Sequence, residues 1–267
     1  MLKAPCYVFS DAHLGFAGAD VERAVNSFLR HVATHAGSLI VNGDLFEFWF
    51  EWRTVIPRGA FRTVAALGDV VDAGVQVMMI AGNHDCWGGD VLRRDIGVDY
   101  QFGPLIENVC GWRTHIEHGD GLRPREDRRY RMLRRILRNS LAIRSFRWLH
   151  PDLTTRLASG SSNASRNYAA RDHGRGLRVA AERVAAADAS IELVLLGHSH
   201  VPTLERLTRG AAYANAGSWL DAPTFLRITS DEIVLRRWEA GVHGEGSAES
   251  ADLDVLHRAP KKALADA

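Results

Sequence analysis

A layered α/β fold is the class this sequence predicts, and three observations predict it. Short apolar runs at residues 6–10, 38–41 and 76–81 alternate with helical-period segments at 19–36 and 59–73, the order expected of a sheet flanked by helices. Each of these runs, and two later ones, closes on a cluster of Asp, Asn, His and Gly. With 267 residues, 46% of them hydrophobic, the chain is long enough to bury a full core.

In order, residues 6–10 end in Ser10-Asp11-Ala12-His13-Leu14, and Val21, Val25, Phe28, Leu29 and Val32 then line one face of a helix. Residues 38–41 form a second buried strand that leads into Asn42-Gly43-Asp44-Leu45-Phe46. Phe61, Val64, Ala65, Leu67, Val70 and Val71 give the next helix its apolar set, and the strand at 76–81 delivers Gly82-Asn83-His84-Asp85. Residues 112–117 form a strand ending at His118-Gly119-Asp120.

Strand signals vanish between 122 and 188. There Met132, Leu133, Ile136, Leu137 and Leu141 make an apolar stripe surrounded by Arg131, Arg134, Arg135 and Arg138. A Ser-rich loop at 160–165 and an Ala-rich helix at 175–189 complete that stretch. The apolar run 191–196 reads as a strand ending at Gly197-His198-Ser199-His200, and short β segments follow at 211–215, 224–229 and 233–238. From 241 onward large apolar residues are few, so 241–267 is expected to be a disordered tail. The expected organisation is therefore one domain over residues 1–240, carrying a helical insertion at about 122–188.

A net charge of +1 excludes a general polyanion-binding character, yet residues 121–150 hold ten Arg against Glu126 and Asp127, a local +8 that leaves −7 elsewhere. The arginines are interleaved with an apolar helical stripe and not with exposed aromatics for base stacking, which argues against a nucleic-acid partner. Three widely spaced cysteines, Cys6, Cys86 and Cys110, form no disulfide framework, as a reducing cytosol would favour. The first residues show no secretory apolar region, and no apolar run approaches a membrane span, so a cytoplasmic location is expected.

The chemistry is carried by the strand ends: Asp11 and His13, Asp44, Asn83, His118, and His198 and His200. Residues at i and i+2 on an extended backbone project to one side, so Asp11/His13 and His198/His200 can each serve one centre. In an α/β sheet the carboxyl ends of the strands form the ligand crevice. Carboxylate, amide and imidazole donors without a thiolate suit two divalent metal ions, most readily Mn²⁺, with Fe or Zn as alternatives. Asp44 is the candidate to bridge them. Such a pair lowers the pKa of a water and clamps a phosphoryl group for in-line attack. Turn formation explains any single Asp or Asn beside Gly, but not all five motifs together.

These five motifs, in this order over residues 11–200, resemble the signature of the calcineurin-like metallophosphoesterases. The resemblance implies a fold of mixed β-sheets flanked by helices. It places one metal on Asp11, His13, Asp44 and His200, and the other on Asp44, Asn83, His118 and His198. His84 matches the family's non-ligand histidine at the scissile phosphate, with Asp85 expected to orient it.

The longer motif Gly43-Asp44-Leu45-Phe46-Glu47-Phe48-Trp49, together with His118-Gly119-Asp120-Gly121-Leu122 and Gly197-His198-Ser199-His200-Val201-Pro202, resembles the UDP-2,3-diacylglucosamine diphosphatases of lipid A synthesis. That branch implies a pyrophosphate cleavage releasing UMP and 2,3-diacylglucosamine 1-phosphate at the cytoplasmic face of the inner membrane. Its best-known members carry Arg where this chain has His84. An insertion at about 122–188 that interrupts the sheet is expected to lie over the crevice as a helical lid, its stripe, Leu133 and Ile136 included, either meeting acyl chains or packing the lid onto the core. The resemblance implies nucleotide contacts at Asp127, Tyr130, Ser161, Ser162 and Ser165. The rival readings are a metallophosphoesterase for another nucleotide, phosphodiester or phosphoprotein, and a non-catalytic scaffold. All seven ligand positions are intact, which disfavours the scaffold.

Overall fold

The computed structural model describes residues 1–123, 127–152, 154, 172–239 and 255–261. Strand β1 (Cys6–Phe9) is followed by α1 (Ala19–His35), β2 (Ser38–Val41), α2 (Phe61–Asp72), β3 (Gln76–Ile80) and β4 (Asp99–Gln101). A hairpin of β5 (Leu105–Val109) and β6 (Trp112–Ile116) leads to the helices α3 (Arg128–Leu137), α4 (Ser140–Phe146) and α5 (Arg175–Ala187). The chain closes with β7 (Leu193–Leu196), β8 (Thr203–Arg206), β9 (Ala212–Asn215), β10 (Thr224–Ile228), β11 (Glu232–Arg237) and β12 (Val255–Pro260).

The strands form two mixed sheets, one of seven in the order β12-β11-β10-β1-β2-β3-β4 and one of five in the order β5-β6-β7-β9-β8. Parallel pairing of β1, β2, β3 and β4 brings the carboxyl ends of β1, β2 and β3 to one edge of the first sheet. Parallel pairing of β6, β7 and β9 does the same in the second.

Period-two alternation explains why these strands look uniformly apolar. Cys6 and Val8 of β1 enter the core between the two sheets, with Ile40, Met78, Ile80, Trp112, Leu193 and Leu195. Their neighbours Tyr7 and Phe9 face the other way, with Leu39, Val41, Val77 and Met79, against Val25, Phe28, Leu29 and Val32 of α1 and Val64, Leu67 and Val70 of α2. On the outer face of the second sheet, Leu177, Ala181 and Ala185 of α5 cover Val194 and Leu196. The result is a helix–sheet–sheet–helix stack, and each fully buried Leu or Ile in it contributes roughly 1.5–3 kcal/mol.

The layers correct the sequence reading in two places. Helix α5, placed in the insertion on sequence grounds, forms the outer layer over β7. Residues Val255–Pro260, expected in the disordered tail, pair antiparallel with β11 from Glu232↔Pro260 to Arg236↔Val255 and bury Ala259. Backbone hydrogen bonding holds this edge strand, and composition carries no sign of that. Helices α3 and α4 do lie in the strand-free stretch, and none of the described helices is long and apolar enough to cross a membrane.

Candidate metal centre

Five of the seven described non-glycine residues with positive φ are predicted ligands: Asp11 (53°), His13 (46°), Asp44 (52°), His198 (62°) and His200 (62°). Left-handed backbone is costly for such residues and persists where surrounding contacts enforce it, commonly at functional sites. Here the contacts are main-chain ties between strand ends. Asp11 N–H donates to the Gly43 carbonyl at 3.1 Å and His13 N–H to the Asp44 carbonyl at 3.0 Å. His198 N–H lies 3.2 Å from both carboxylate oxygens of Asp11, and the Ser218 hydroxyl donates to the Asp11 carbonyl at 3.0 Å. Gly43 and Gly82 permit the close approach: a Cβ on the first would collide with the His118 ring, and one on the second with the Asp44 carboxylate.

The side chains converge in three groups whose donor atoms lie within 4.8 Å of one another: Asp11, His13 and His200; His13, Asp44 and His84; and Asp44, His118 and His198. Asp44 and His13 each belong to two of them, so the three groups form one connected cluster. His13 Nε2 is 3.2 Å from His200 Nε2, His200 Nε2 is 3.4 Å from Asp11 Oδ1, and His118 Nε2 is 3.1 Å from Asp44 Oδ2. Two donors sharing one cation at bonds of about 2.0–2.2 Å stand roughly 3.0–3.5 Å apart, so these separations fit a common metal. The outer ring atoms are already engaged: Nδ1 of His13 meets Glu47 Oε2 at 3.0 Å, and Nδ1 of His118 donates to the Asn42 carbonyl at 2.8 Å. Both rings are thereby fixed with Nε2 facing the centre. Asn83 supplies the clearest sign of a missing ligand bond, because its Oδ1 is buried without a hydrogen-bond partner. The donor set fits two divalent cations.

Charge within the cluster follows the same logic. Burial pushes Asp44 upward, but the neighbouring His118 and His84 outweigh it and hold the carboxyl well below its usual range. Burial pulls His118 downward, but the Asp44 charge and hydrogen bond outweigh it and raise the ring well above its usual value. His198, buried and facing the His118 charge, is pushed down to about 3. The cluster thus retains anionic carboxylates and attracts positive charge, which protons or metal ions supply in competition.

Not every predicted residue lies where sequence placed it. Asp85 does not orient His84. Its carboxylate accepts from Gly82 N–H at 2.8 Å and Leu45 N–H at 2.8 Å, bracing the loop, and burial with the Asp44 charge pushes it up to about 7. His84 Nδ1 instead donates to the Glu47 carbonyl at 3.0 Å. Glu47 was missed, although a carboxylate in an aromatic run must find partners if it is buried.

Asp127 spends its oxygens on the guanidinium of Arg123 and on the N–H groups of Gly121 and Arg123, so its lone pairs are committed within the protein. Tyr130 donates to Asp120 Oδ2 at 2.7 Å. Leu133 and Ile136 are 49% and 62% exposed. Ser161, Ser162 and Ser165 lie outside the described residues. In the segment that follows Glu47, Phe48, Phe50 and Trp52 form an aromatic cluster that meets Trp87 and, from α4, Ile143 and Phe146.

Comparison with known proteins finds relatives by sequence and by fold. The chain is 34% identical over 169 residues to a UDP-2,3-diacylglucosamine hydrolase of Porphyromonas gingivalis, covering 62% of this chain and 64% of that protein. It is 30% identical over 257 residues to the protein of the same name from Stutzerimonas stutzeri, covering 95% of this chain and 97% of the relative. Among solved structures, vacuolar protein sorting 29 of Cryptosporidium parvum aligns with a TM-score of 0.46 at 11% identity, over 88% of this chain and 92% of that one. The sequence model described as calcineurin-like phosphoesterase matches residues 4–202. With that match spanning all three groups of candidate donors, the chain belongs to the calcineurin-like phosphoesterase family.

Proposed function

We propose that this chain is a two-cation hydrolase that cleaves the pyrophosphate of UDP-2,3-diacylglucosamine, yielding UMP and 2,3-diacylglucosamine 1-phosphate. The observation that carries the reading is an adjacency. The aromatic cluster of Phe48, Phe50 and Trp52 begins four residues after Asp44 and packs against Ile143 and Phe146 of α4, so one segment carries both the candidate bridging carboxylate and apolar side chains that reach the insertion helices. A substrate with a diphosphate and acyl chains needs both. The relatives of the same name support the reading, one of them along nearly the whole chain.

Asp11, His13, Asp44 and His200 would hold one ion, and Asp44, Asn83, His118 and His198 the other, with Mn²⁺ the preferred metal. When bound, the pair supplies Lewis acidity at phosphorus and an activated water. His84, held through Nδ1, keeps Nε2 as the ring atom that delivers a proton to the departing oxygen. Helices α3 and α4 act as the lid over the acyl chains, through Leu133 and Ile136, with Tyr130 and Asp127 shaping the nucleotide side.

The same helices and the turn after α4 carry exposed Arg128, Arg135, Arg144 and Arg147 beside exposed Met132, Leu141 and Trp148, a composition that suits the anionic inner-membrane surface on its cytoplasmic side. The test is product identification: purified, Mn²⁺-loaded protein given UDP-2,3-diacylglucosamine releases UMP. Hydrolysis of simple phosphodiesters with that substrate left intact would overturn the assignment in favour of another phosphate ester.

A further inference from the structure

Glu47 sits in the aromatic run that follows Asp44, between Phe46 and Phe48, and is only 7% exposed. A buried carboxylate among aromatic rings is costly unless it is paired. Its N–H, its carboxylate Oε2 and its carbonyl each reach the segments that bear His13 and His84. Its N–H donates to the Leu14 carbonyl at 3.0 Å, one residue past His13. Its carboxylate Oε2 lies 3.0 Å from His13 Nδ1 and 3.8 Å from His84 Nδ1. Its carbonyl accepts from His84 Nδ1 at 3.0 Å. The two rings meet edge to face with centroids 4.9 Å apart.

We propose that Glu47 is the positioning residue that couples one cation site to the general-acid histidine. Carboxylate and carbonyl oxygens only accept, so both His13 and His84 carry a proton on Nδ1. Glu47 therefore fixes the orientation of a ligand and of the candidate acid together, leaving Nε2 of each toward the reacting centre: bare on His13, as a metal donor requires, and carrying the second proton of an imidazolium on His84 when it acts as the acid. His13 Nε2 is then the atom that faces His200. The Glu47 contacts fall on His13 and His84, and in the group with Asp44 and His198 the His118 ring is oriented by the Asn42 carbonyl.

This inference rests on reading the His/Asp groups as a two-cation centre, but not on the lipid substrate. The test is Mn²⁺ titration of the metal-stripped full chain, followed by calorimetry and by electron paramagnetic resonance, for wild type, Glu47→Ala and the isosteric Glu47→Gln. The expected result for Glu47→Ala is one of two Mn²⁺ ions weakened about 10- to 100-fold with the other unchanged. Glu47→Gln, which keeps an acceptor oxygen but loses the charge, falls between Glu47→Ala and wild type. In a His13→Ala background Glu47→Ala adds no further loss, while in His118→Ala it retains its full effect. At saturating Mn²⁺, kcat on a soluble phosphodiester falls with KM unchanged.

Glu47→Gln binding both ions as wild type does, or losing both alike, overturns the proposal even if Glu47→Ala does not fold. Wild type binding fewer than two ions overturns the two-cation reading with it. Two bound ions, the expected Glu47 losses and no cleavage of UDP-2,3-diacylglucosamine would leave this inference standing and the proposed substrate refuted.

Discussion

In the crevice, Asp11, His13, Asp44 and His118 are at most 1% exposed, and each is tied through main chain or side chain to a loop from another strand. A few residues past His118 the arrangement inverts. Met132, Leu133 and Ile136 of α3 are 68%, 49% and 62% exposed, while Arg131, Arg134 and Arg138 reach back to the core. Helix α4 buries no residue fully. An amphipathic helix ordinarily turns its apolar stripe inward. This one docks by its charged face, through contacts with Asp120, Gly121 and Arg123. The crevice is over-determined, as a site that must hold atoms to fractions of an ångström needs to be. Among the described contacts the insertion helix is held through its arginines, and it exposes Met132, Leu133 and Ile136, apolar side chains of the kind that mark an interaction site when they group together.

The contrast predicts that substitutions in the two regions fail differently. Asp44→Ala removes a donor from two of the three groups, so the protein should lose both ions by elemental analysis. Hydrolysis should then fall about a thousandfold or more, the equivalent of some 4 kcal/mol of transition-state stabilisation. Retention of two ions and of substantial activity would erase the distinction at its strong end. Changing Leu133 and Ile136 to Asp should leave metal content untouched. If acyl chains cover these side chains, at roughly 1.5 kcal/mol or more apiece, KM for the long-chain substrate should rise about a hundredfold. A short-chain analogue should be spared. Equal losses on both substrates would mean that the outward face serves folding instead.

The two regions also differ in how far they could be read in advance. The crevice was legible because its chemistry is local: a strand end, a donor residue, and a glycine where no Cβ fits. Gly43 and Gly82 are such positions. What escaped was any relation set by side-chain direction. Asp85 adjoins His84 in sequence, but its carboxylate turns back into the loop to take Gly82 and Leu45 N–H groups, whereas Glu47, distant by 37 residues, holds the ring. Helical period likewise gave α3 its amphipathicity but not its orientation, because the spacing is the same whichever face points inward. The strands β4, β5 and β8 were unread because segments of three to five residues at or near sheet edges carry too little alternation. At β12 hydrogen bonding along an existing edge supplies what composition lacks.

The mildest expected effect falls at the junction of the two regions, on Asp120, two residues beyond His118. Its buried carboxylate receives the Tyr130 hydroxyl at 2.7 Å and faces Arg134 at 3.5 Å and Arg138 at 3.6 Å, and its carbonyl accepts from Arg134 at 2.9 Å. Partly exposed ion pairs of this kind are individually weak, whereas the hydrogen bond from Tyr130 to a buried charge contributes about 1.5–3 kcal/mol. Asp120→Asn keeps an acceptor for Tyr130 but removes the charge that draws in both arginines. The docked state of α3 should then lose about 1.4 kcal/mol, seen as tenfold faster amide exchange along 128–137. Exchange in β6 and β7 should stay unchanged, as should Mn²⁺ stoichiometry, because the crevice does not draw on this contact for its geometry. KM for the acylated substrate should rise several-fold, well below the effect of the double change at Leu133 and Ile136. Accelerated exchange that spread into β6, or a lost ion, would show that charge-held helix and over-determined crevice are one cooperative unit.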